Sequence, residues 1–526
     1  MSYNKIIKNG NNKYGQMKLK IKKTQEEKIM LKNKKGITLI ALVVTIVVLL
    51  ILAGVTVSLI LDENGIIAKS KDARARWNNA QMNEEKNMGE IDKTLDEIVY
   101  NKIDPTEMYA VLYSDGTLVF YQKTENILNE RNGATIVKQT ENISDTQELS
   151  EDELKALLFW IGDQEQADQI TSVVIAEEIA PKSTKKLFSA LKNIENIIGL
   201  NKLNTCNVTT MLDMFRNCSN LKSVDLSTFN TEKVTTMHAM FAYCTSIENI
   251  NMSSFNTKEV ANMSAMFYDC SNLKQLNVNN FNTQNVTTMK KMFYNCSQLQ
   301  QLDVNNFITE EVTDMSWMFY NCGQLKQLDV NNFNTENVTT MASMFANCSN
   351  LEKLDISNWK TANVEDMSWM FAGEDYGNPP NTMNIKQIIG IENLDVSNVK
   401  TMDRMFRHCH ELTSLDLHKW NVSNVEIMRQ MFNSCTSLSK LNIENWNMCN
   451  VTNTQYMFNN CYKLNSIITF SFDSTKITTY GGTFEDTAID SNCLVTVNYT
   501  ASAAEIIDKI IATKNGNVQK GEQVTN

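Results

Sequence analysis

The sequence predicts an α/β solenoid of about twelve coils, in which each coil is a short strand followed by a short helix. A Met-Phe pair recurs with a period of 26 residues, which is in the range typical of solenoids. The pair stands at Met214/Phe215, Met240/Phe241, Met266/Phe267, Met292/Phe293, Met318/Phe319, Met344/Phe345, Met370/Phe371, Met405/Phe406, Met431/Phe432 and Met457/Phe458. Degenerate copies at Leu187/Phe188 and Thr483/Phe484 fit end repeats, which must cover the core that interior repeats bury on each other.

Each repeat combines two hydrophobic periods. In the first part, Leu221, Val224 and Leu226 match inward strand positions, and the alternation turns Ser223 and Asp225 outward. In the second part, apolar residues recur at helical spacing at Val234, Met237, Met240, Phe241 and Cys244. This spacing predicts a short amphipathic helix on the opposite side of the coil. Such a helix is marginal alone, so each coil must depend on packing against its neighbours.

The N-terminal part of the sequence predicts a membrane anchor. Residues 1–36 form a basic leader with 11 Lys against 2 Glu, a net charge of +9, which leaves −20 for residues 37–526. Residues 37–61 carry no charge and would span about 37 Å as a helix, against a hydrocarbon core of about 30 Å. The positive-inside rule places the leader in the cytoplasm and the repeats outside. Residues 62–103 continue the helical pattern and predict a stalk.

Three interpretations of the membrane segment remain open. The run from Lys35 through Gly36 and Ile37 into a long apolar helix resembles the N-terminus of type IV pilins and pseudopilins. That resemblance implies prepilin peptidase as a partner, which would cut after Gly36 and leave a methylated Ile37 as the new N-terminus. The family usually has Glu at the fifth mature position, where this chain has Ala41, and this departure argues against ordinary assembly into a fibre. A plain uncleaved anchor and a secretory signal peptide are the alternatives.

Residues 104–168 predict a hairpin and short-helix module. Two β-rich runs, 109–113 and 117–121, flank Asp115-Gly116, which is a strong hairpin signal. Ser150 and Glu153 match a capping box that opens a helix.

The repeats and their C-terminal cap follow this module. The solenoid is predicted over residues 169–500, and a capping helix with a polar tail over residues 501–526. One longer interval, from Phe371 to Phe406, places an insertion at residues 373–384, where the repeat cysteine is replaced by Glu374.

The repeat pattern V-T-x-M-x-x-M-F-x-x-C-x-x-L, followed by L-x-V/I/L, resembles the BspA-type bacterial surface proteins with 26-residue leucine-rich repeats. The resemblance covers about residues 108–500. It implies a surface-exposed bacterial protein with a role in adhesion or interaction, and it brings no enzymatic activity. Where a standard leucine-rich repeat has an asparagine ladder, this chain has aromatic residues such as Phe281 and Trp446, which predict a stacked turn.

Outward strand positions are the candidate binding residues. Two polar rows follow from the alternation, and their members in four repeats are Gln275, Asn277, Gln301, Asp303, Gln327, Asp329, Lys353 and Asp355. Similar side chains at a fixed spacing favour multivalent weak contacts with a partner. The alternative is a solvated face held by side-chain hydrogen bonds between coils. Tyrosines on the convex side, among them Tyr268 and Tyr294, are further contact candidates.

Nine cysteines occupy one position of the repeat: Cys218, Cys244, Cys270, Cys296, Cys322, Cys348, Cys409, Cys435 and Cys461. An exported location permits disulfides between neighbouring coils. The strict position and the odd count favour buried free thiols, because Cys is a small apolar residue that fills a narrow core site. One thiol per coil does not make a tetrahedral zinc site.

Composition and motifs together favour an interaction protein. The sequence holds no G-x-S-x-G, P-loop or H-E-x-x-H motif, so we expect no catalytic residues, cofactor or metal. The acidic body argues against nucleic acid as a partner. We expect a single-pass membrane protein that presents its repeats outside the cell for adhesion or protein/glycan interaction, with the ligand unidentified. The alternative is a minor pilin-like subunit of a type IV pilus or secretion system, with the repeats as a tip or effector domain.

Overall fold

The computed structural model describes residues 104–374 and 382–525. The predicted leader (1–36), membrane helix (37–61) and stalk (62–103) lie outside the described residues. Within those residues, none of the helices has the length and apolar character needed to cross a bilayer. The strands are β1 (Tyr109–Tyr113), β2 (Thr117–Tyr121), β3 (Glu130–Arg131), β4 (Ala134–Gln139), β5 (Ser172–Ile175), β6 (Ile197–Ile198), β7 (Ser223–Asp225), β8 (Asn249–Asn251), β9 (Gln275–Leu276), β10 (Gln301–Leu302), β11 (Lys353–Asp355), β12 (Gln387–Ile389), β13 (Ser414–Asp416), β14 (Lys440–Asn442), β15 (Ser466–Phe470), β16 (Val495–Thr500) and β17 (Val518–Val524). The α-helices are α1 (Glu151–Leu157), α2 (Phe159–Gly162), α3 (Gln164–Gln169) and α4 (Ala504–Ile511).

A six-stranded sheet of order β3-β4-β1-β2-β5-β6 stands at the N-terminal end of the array. β1 and β2 form an antiparallel hairpin in which Tyr109 pairs with Tyr121. The turn needs Gly116, because its φ is +80° and a Cβ there would lie 2.6 Å from the carbonyl oxygen of Gln169. β2 pairs in parallel with β5, so one sheet joins the hairpin to the first coil.

Three short helices connect β4 to β5. α1 begins at a capping box: the Ser150 hydroxyl accepts from the Glu153 N–H, and the Glu153 carboxylate accepts from the Ser150 N–H at 2.8 Å. Trp160 of α2 is fully buried and packs edge-on against Phe120 of β2 at 6.1 Å. The helices therefore seal one face of the N-terminal sheet.

The repeats form a β-solenoid of about 13 turns, against the twelve expected from the sequence. Strands of successive coils pair in parallel one repeat apart, as Ser223 does with Asn249 and Gln275 with Gln301. A second row of parallel bridges runs along the array from Thr210 to Thr479. The second row therefore joins each coil to the next along this stretch, and strand pairing adds another backbone connection at some of the boundaries.

The helix predicted for each coil is wrong, because that segment is a run of tight turns. The Met240 N–H bonds to the carbonyl of Met237 in its own coil, whereas the Phe241 N–H bonds to the carbonyl of Met266 in the next coil. Ala239 takes a left-handed φ of 51°, and equivalent residues do so in the other coils. An α-helix would keep these N–H groups inside its own coil and lose the bonds between coils. Apolar residues three and four positions apart point to one side in a helix, and they also do so in a series of tight turns. The spacing alone therefore did not distinguish the two conformations.

The core is built from the apolar rows that the sequence predicted to point inward. The Met, Phe and Cys positions of the interior repeats are buried at close to 0% exposure. The repeat phenylalanines form one stacked column with ring centroids 5.3 to 5.8 Å apart. The column contains Phe188, Phe215, Phe241, Phe267, Phe293, Phe319, Phe345, Phe371, Phe406, Phe432, Phe458 and Phe484.

Side-chain hydrogen bonds also run from coil to coil. In a buried threonine ladder, the Thr283 hydroxyl donates to the Ile308 carbonyl at 2.8 Å and accepts from the Ile308 N–H at 2.7 Å. Its other members are Thr205, Thr231, Thr257, Thr309, Thr335 and Thr361. An asparagine row near it repeats the bond from Asn285 Nδ2 to the Lys258 carbonyl at 2.8 Å. Phe281 is buried as expected, but hydroxyl and amide bonds hold the coils together beside the aromatic residues.

The C-terminal end combines α4 with a parallel sheet of order β15-β16-β17. α4 buries Ile506, Ile507, Ile510 and Ile511 against the last coils. The sequence predicted a polar tail after this helix. The structure instead contains β17, which pairs with β16 from Val518 to Val524.

The insertion leaves the solenoid and rejoins it at neighbouring points. The Gly373 N–H donates to the Arg407 carbonyl at 2.7 Å, and the Met383 N–H donates to the His408 carbonyl at 3.2 Å. Glu374 accepts a hydrogen bond from the Tyr320 hydroxyl at 2.5 Å, two coils back. The repeat cysteine is absent here because the chain leaves the coil at this position.

Candidate binding face

The strand segments of successive coils share one face of the solenoid, and the N-terminal half of this face contains a groove of about 1040 Å³. We call this the amide groove, and it is lined by residues of the coils that contain β7 to β10 and by residues 326–329. Six of the eight predicted binding residues line it: Gln275, Asn277, Gln301, Asp303, Gln327 and Asp329. Lys353 and Asp355 lie on β11 of the following coil and outside the groove lining.

The glutamine row is exposed and has no partner. Gln275, Gln301 and Gln327 are exposed at successive coils. Among the described residues, their side-chain amides make no hydrogen bond within the chain. Both the carbonyl oxygen and the NH₂ group of each amide therefore remain available to a ligand.

The second row, of aspartate and asparagine, has a structural task. In eight coils one side-chain oxygen accepts the backbone N–H two residues later, as Asn277 does from Asn279 at 3.0 Å and Asp303 from Asn305 at 3.1 Å. Such bonds close an Asx turn after the strand, which explains why Asp or Asn stands there in these coils; the coil after the insertion has Ile389 instead. The bond from the Ser357 side chain and N–H lowers the pKa of Asp355.

The sequence left open whether these rows bond between coils, and they do so only in part. The Asn251 amide donates to the Asp225 carboxylate at 2.8 Å across one coil boundary. The Asx turns are bonds within a coil, and the glutamines make neither kind. The aspartate and asparagine row therefore forms turns, whereas the side chains of the glutamine row make no hydrogen bond within the described residues.

A thin apolar strip separates the two rows. Leu276, Leu302 and Leu328 point into the core but keep 7 to 8% of their surface exposed, whereas Leu354 in the next coil keeps 1%. The floor of the amide groove therefore offers some C–H surface between two lines of polar groups.

The C-terminal half of the strand face contains a second groove of about 1130 Å³, centred on a residue that sequence reasoning missed. The 26-residue period places Ile467 at an inward position, yet it is 66% exposed and Ile468 is buried instead. The Ser466 hydroxyl accepts a hydrogen bond from the Leu441 N–H at 3.0 Å, and the register of the strand is shifted by one residue relative to the repeat. A slip of one residue exchanges the two faces of a strand. The alternation of Ile468, Phe470 and Phe472 was the signal that could have revealed it.

The convex tyrosines form a stacked column rather than a set of open rings. Tyr268, Tyr294 and Tyr320 stack nearly parallel with centroids 4.4 and 4.6 Å apart, and all are half-buried. The Lys291 ammonium lies 5.8 Å from two of these rings and 5.6 Å from Trp317. The ring faces are therefore covered by one another and by a lysine of the same chain, which leaves them less suited to contacts than the sequence suggested.

The repeat cysteines are free thiols that take part in the core. Cys296 Sγ donates to the Phe267 carbonyl at 3.1 Å, and the same bond recurs along the row. Burial raises the pKa of Cys244 to about 12, so the thiol stays protonated at neutral pH. In the part of the chain that the structure describes, no group of His, Cys, Asp and Glu side chains is arranged to hold a metal ion.

Comparison with known proteins identifies a repeat family. Residues 182–307, 296–390 and 378–494 match the family described as Mycoplasma protein of unknown function, DUF285, and together they span more than half of the chain. No curated protein matches the chain significantly. A leucine-rich repeat protein from Bacteroides ovatus ATCC 8483 is 14% identical over 81% of this chain and 100% of its own, with a TM-score of 0.36. The TLR13–ssRNA13 complex is 12% identical over 68% of this chain and 55% of that chain, with a TM-score of 0.20. These two structural similarities are too weak to support a functional inference.

Proposed function

The chain belongs to the DUF285 family, and we propose that it is a non-catalytic bacterial cell-surface protein that offers the strand face of its solenoid to an extracellular protein or glycan. The family match supports the resemblance to BspA-type repeat proteins. Anchoring through residues 37–61, with residues 1–36 in the cytoplasm and the repeats outside, is part of the proposal and rests on the sequence.

The observation that carries this proposal is the glutamine row. Gln275, Gln301 and Gln327 are exposed, unpartnered and one repeat apart. Gln275 and Gln301 stand on paired parallel strands, and parallel bridges from Thr288 through Asp314 to Thr340 join these coils elsewhere around the turn. A row of identical groups on a rigid support makes several weak contacts at once, because the ordering entropy of the support has already been lost.

The chemistry of the groove favours binding over catalysis. The carboxylates of its second row are held by backbone N–H groups, as Asp303 and Asp329 are by the residues two positions on. Within the groove lining, no histidine or cysteine stands beside a serine to act as a nucleophile–base pair. The unpartnered amides of the glutamine row bind without transferring protons at neutral pH.

Surface labelling of intact cells tests the topology. A membrane-impermeant amine reagent should modify Lys326 and Lys353, which are exposed on the repeats, and should leave the lysines of residues 1–36 unmodified. Peptide mass spectrometry reads the result. Modification of the leader on intact cells, or of neither region until the cells are opened, would contradict a surface repeat domain.

Adhesion of cells that carry the full chain tests the binding role. Cells that display it should adhere to immobilised host matrix proteins or glycans more strongly than cells that carry the triple variant Gln275→Ala, Gln301→Ala and Gln327→Ala. Equal surface amounts, checked by the same labelling, are the control. Equal adhesion of the two strains would remove the support that the glutamine row gives.

A second candidate is a minor pilin-like subunit, for which Gly36 and Ile37 supply the motif. On this account prepilin peptidase removes residues 1–36 and the repeats sit at a fibre tip or in a secretion machine. Mass spectrometry of the mature N-terminus distinguishes the two. A methylated Ile37 would favour the pilin-like subunit, and an intact leader would eliminate it.

A further inference from the structure

The lining of the amide groove differs from the centre of a protein–protein interface. Interface centres are enriched in aromatic residues, Met and Arg, and their strongest contacts come from Trp, Tyr and Arg. The lining of the amide groove contains none of these residue types. Its apolar surface is a narrow strip in which Val224, Leu276, Leu302 and Leu328 are 6 to 8% exposed and Ile250 alone is half-buried, and such a strip cannot supply a hydrophobic anchor pocket.

The free polar groups match a ligand rich in hydroxyl groups. A hydroxyl group both donates and accepts, and so does the side-chain amide of Gln275, Gln301 or Gln327. Two adjacent hydroxyls can therefore bond to the oxygen and the NH₂ group of one amide. Across the strip, Asn277 keeps its Nδ2 donor and Asp303 keeps its second carboxylate oxygen, because each uses only Oδ1 in its turn.

The spacing of these groups fits a chain of rings that lies along the solenoid axis. The coils repeat at about 4.8 Å, and the two rows are two residues apart along a strand, about 6.6 Å. A sugar ring presents hydroxyls around its rim and C–H groups on its faces. The hydroxyls on its rim can bond to both polar rows while its C–H face lies on the leucine strip between them. The groove therefore has the same arrangement of polar edges and apolar centre as the ring.

The charge of the groove selects against acidic polymers. Asp225, Asp303 and Asp329 face one cation, Lys326, so the lining has a net charge of −2. The body of the chain is also strongly acidic. An anionic ligand would be repelled at long distance by the net charge of the chain and at contact by the carboxylates of the groove.

We propose that the amide groove binds an uncharged polysaccharide that lies along the solenoid axis, with the glutamine row as its main hydrogen-bonding line. This inference rests on the proposed function, which leaves protein and glycan open, and it decides for glycan. Each coil contacts one stretch of the polymer, so binding strengthens with polymer length until the groove is filled.

Titration of the full chain in detergent micelles with soluble dextran, mannan, xyloglucan and β-1,3-glucan tests the inference. At least one of these neutral polymers should bind, and polygalacturonate should not. The variant Gln275→Ala, Gln301→Ala, Gln327→Ala should weaken binding roughly tenfold or more, since it removes three amide contacts. The matched control is Gln284→Ala, Gln298→Ala, Gln324→Ala, which removes three exposed glutamines outside the groove lining and should bind as the parent does.

The outcomes separate this inference from the proposed function. Failure of all four neutral polymers to bind the parent overturns the inference, and equal affinity of the groove variant and the control variant does so as well. If the parent fails with neutral polymers but cells still adhere to proteins through the glutamine row, the inference falls and the proposed function stands. If adhesion is also independent of the row, both fall.

Discussion

Replacing Thr283 by Val tests whether the buried threonine ladder holds neighbouring coils together. Thr283 is 0% exposed, and its hydroxyl makes two hydrogen bonds to the backbone of Ile308. Valine has the same shape, so the change opens no cavity and removes only these bonds. At about 1 kcal/mol for each net hydrogen bond, the boundary between the two coils should lose roughly 2 kcal/mol. The N–H and carbonyl of Ile308 would cost more if they stayed buried without partners, but Ile308 is 41% exposed, so water can replace the hydroxyl at this turn.

Amide hydrogen exchange of the full chain measures this loss locally. Long repeat arrays do not unfold in one step, so a single unfolding free energy would not isolate one boundary. Amides of the coils around Thr283 and Ile308, apart from that of Ile308 itself, should exchange about 30-fold faster, the factor that corresponds to roughly 2 kcal/mol.

Thr287→Val provides the matched control. Thr287 is exposed and makes a single bond to the Ala261 carbonyl at 3.2 Å, so its loss should change stability by less than about 0.5 kcal/mol. If the two valine variants exchange at the same rate, the threonine ladder is not a source of cohesion between coils, and the reasoning fails.

Three further predictions follow from the same structure. At pH 8 the Cys244 thiol should resist iodoacetamide until the chain is unfolded, because burial raises its pKa to about 12. The partly exposed Cys493 should react before it. Peptide mass spectrometry measures the labelling of both residues, and early labelling of Cys244 would contradict a closed core. The hydrogen bond from the Ser227 N–H lowers the pKa of Asp225, so the stabilisation is present at neutral pH and is lost as pH falls through the lowered value. Amide protection factors around Ser227 should show less of this acid loss for Asp225→Asn, which keeps the turn, and should be lower at pH 7 for Asp225→Ala; equal protection in all three proteins would argue against the turn. Gly390→Ala should lower the amide protection factors of the coils around Gly390 by more than about fivefold, which corresponds to about 1 kcal/mol, because φ is +84° and a Cβ would lie 2.3 Å from Ser357 Cα; unchanged protection would show that the turn can move.

The solenoid could be predicted from the sequence because its period is strict. Residues such as Met263, Phe267, Cys270 and Leu276 recur at one spacing, and the structure buries all of them. Their chemistry requires burial whatever the local backbone is. The prediction of which residues point inward therefore does not depend on whether the segment is a helix or a run of turns.

The conformation of the second half of each coil could not be predicted from spacing. A left-handed φ at Ala265 or Trp317 has no signal in residue type, since neither is Gly, Asn or Asp. The turns are selected by backbone bonds between coils, which depend on contacts one repeat away in sequence. Contacts between coils therefore outweigh the conformational preference of the individual residues.

The candidate site was predicted in outline, and the structure divides it by task. Alternation identified both polar rows, but only hydrogen-bond geometry separates the Asx-turn row of Asn277 from the unpartnered row of Gln301. The exposed Ile467 escaped prediction because a strict period hides a slip of one residue. The repeat period therefore predicts which residues form the core of the solenoid, but it fails where the strand register departs from that period.

Photo-crosslinking from the strand face tests the central claim most directly, namely that the amide groove is the surface that binds. A benzophenone side chain placed at position 301 of the full chain lies in the groove, and one placed at position 298 of the same coil is exposed outside it. Benzophenone inserts into C–H bonds, so it captures a glycan or a protein. We predict that irradiation with the bound polymer gives an adduct from position 301 and none from position 298. Equal adducts from both positions, or an adduct from position 298 alone, would contradict the claim.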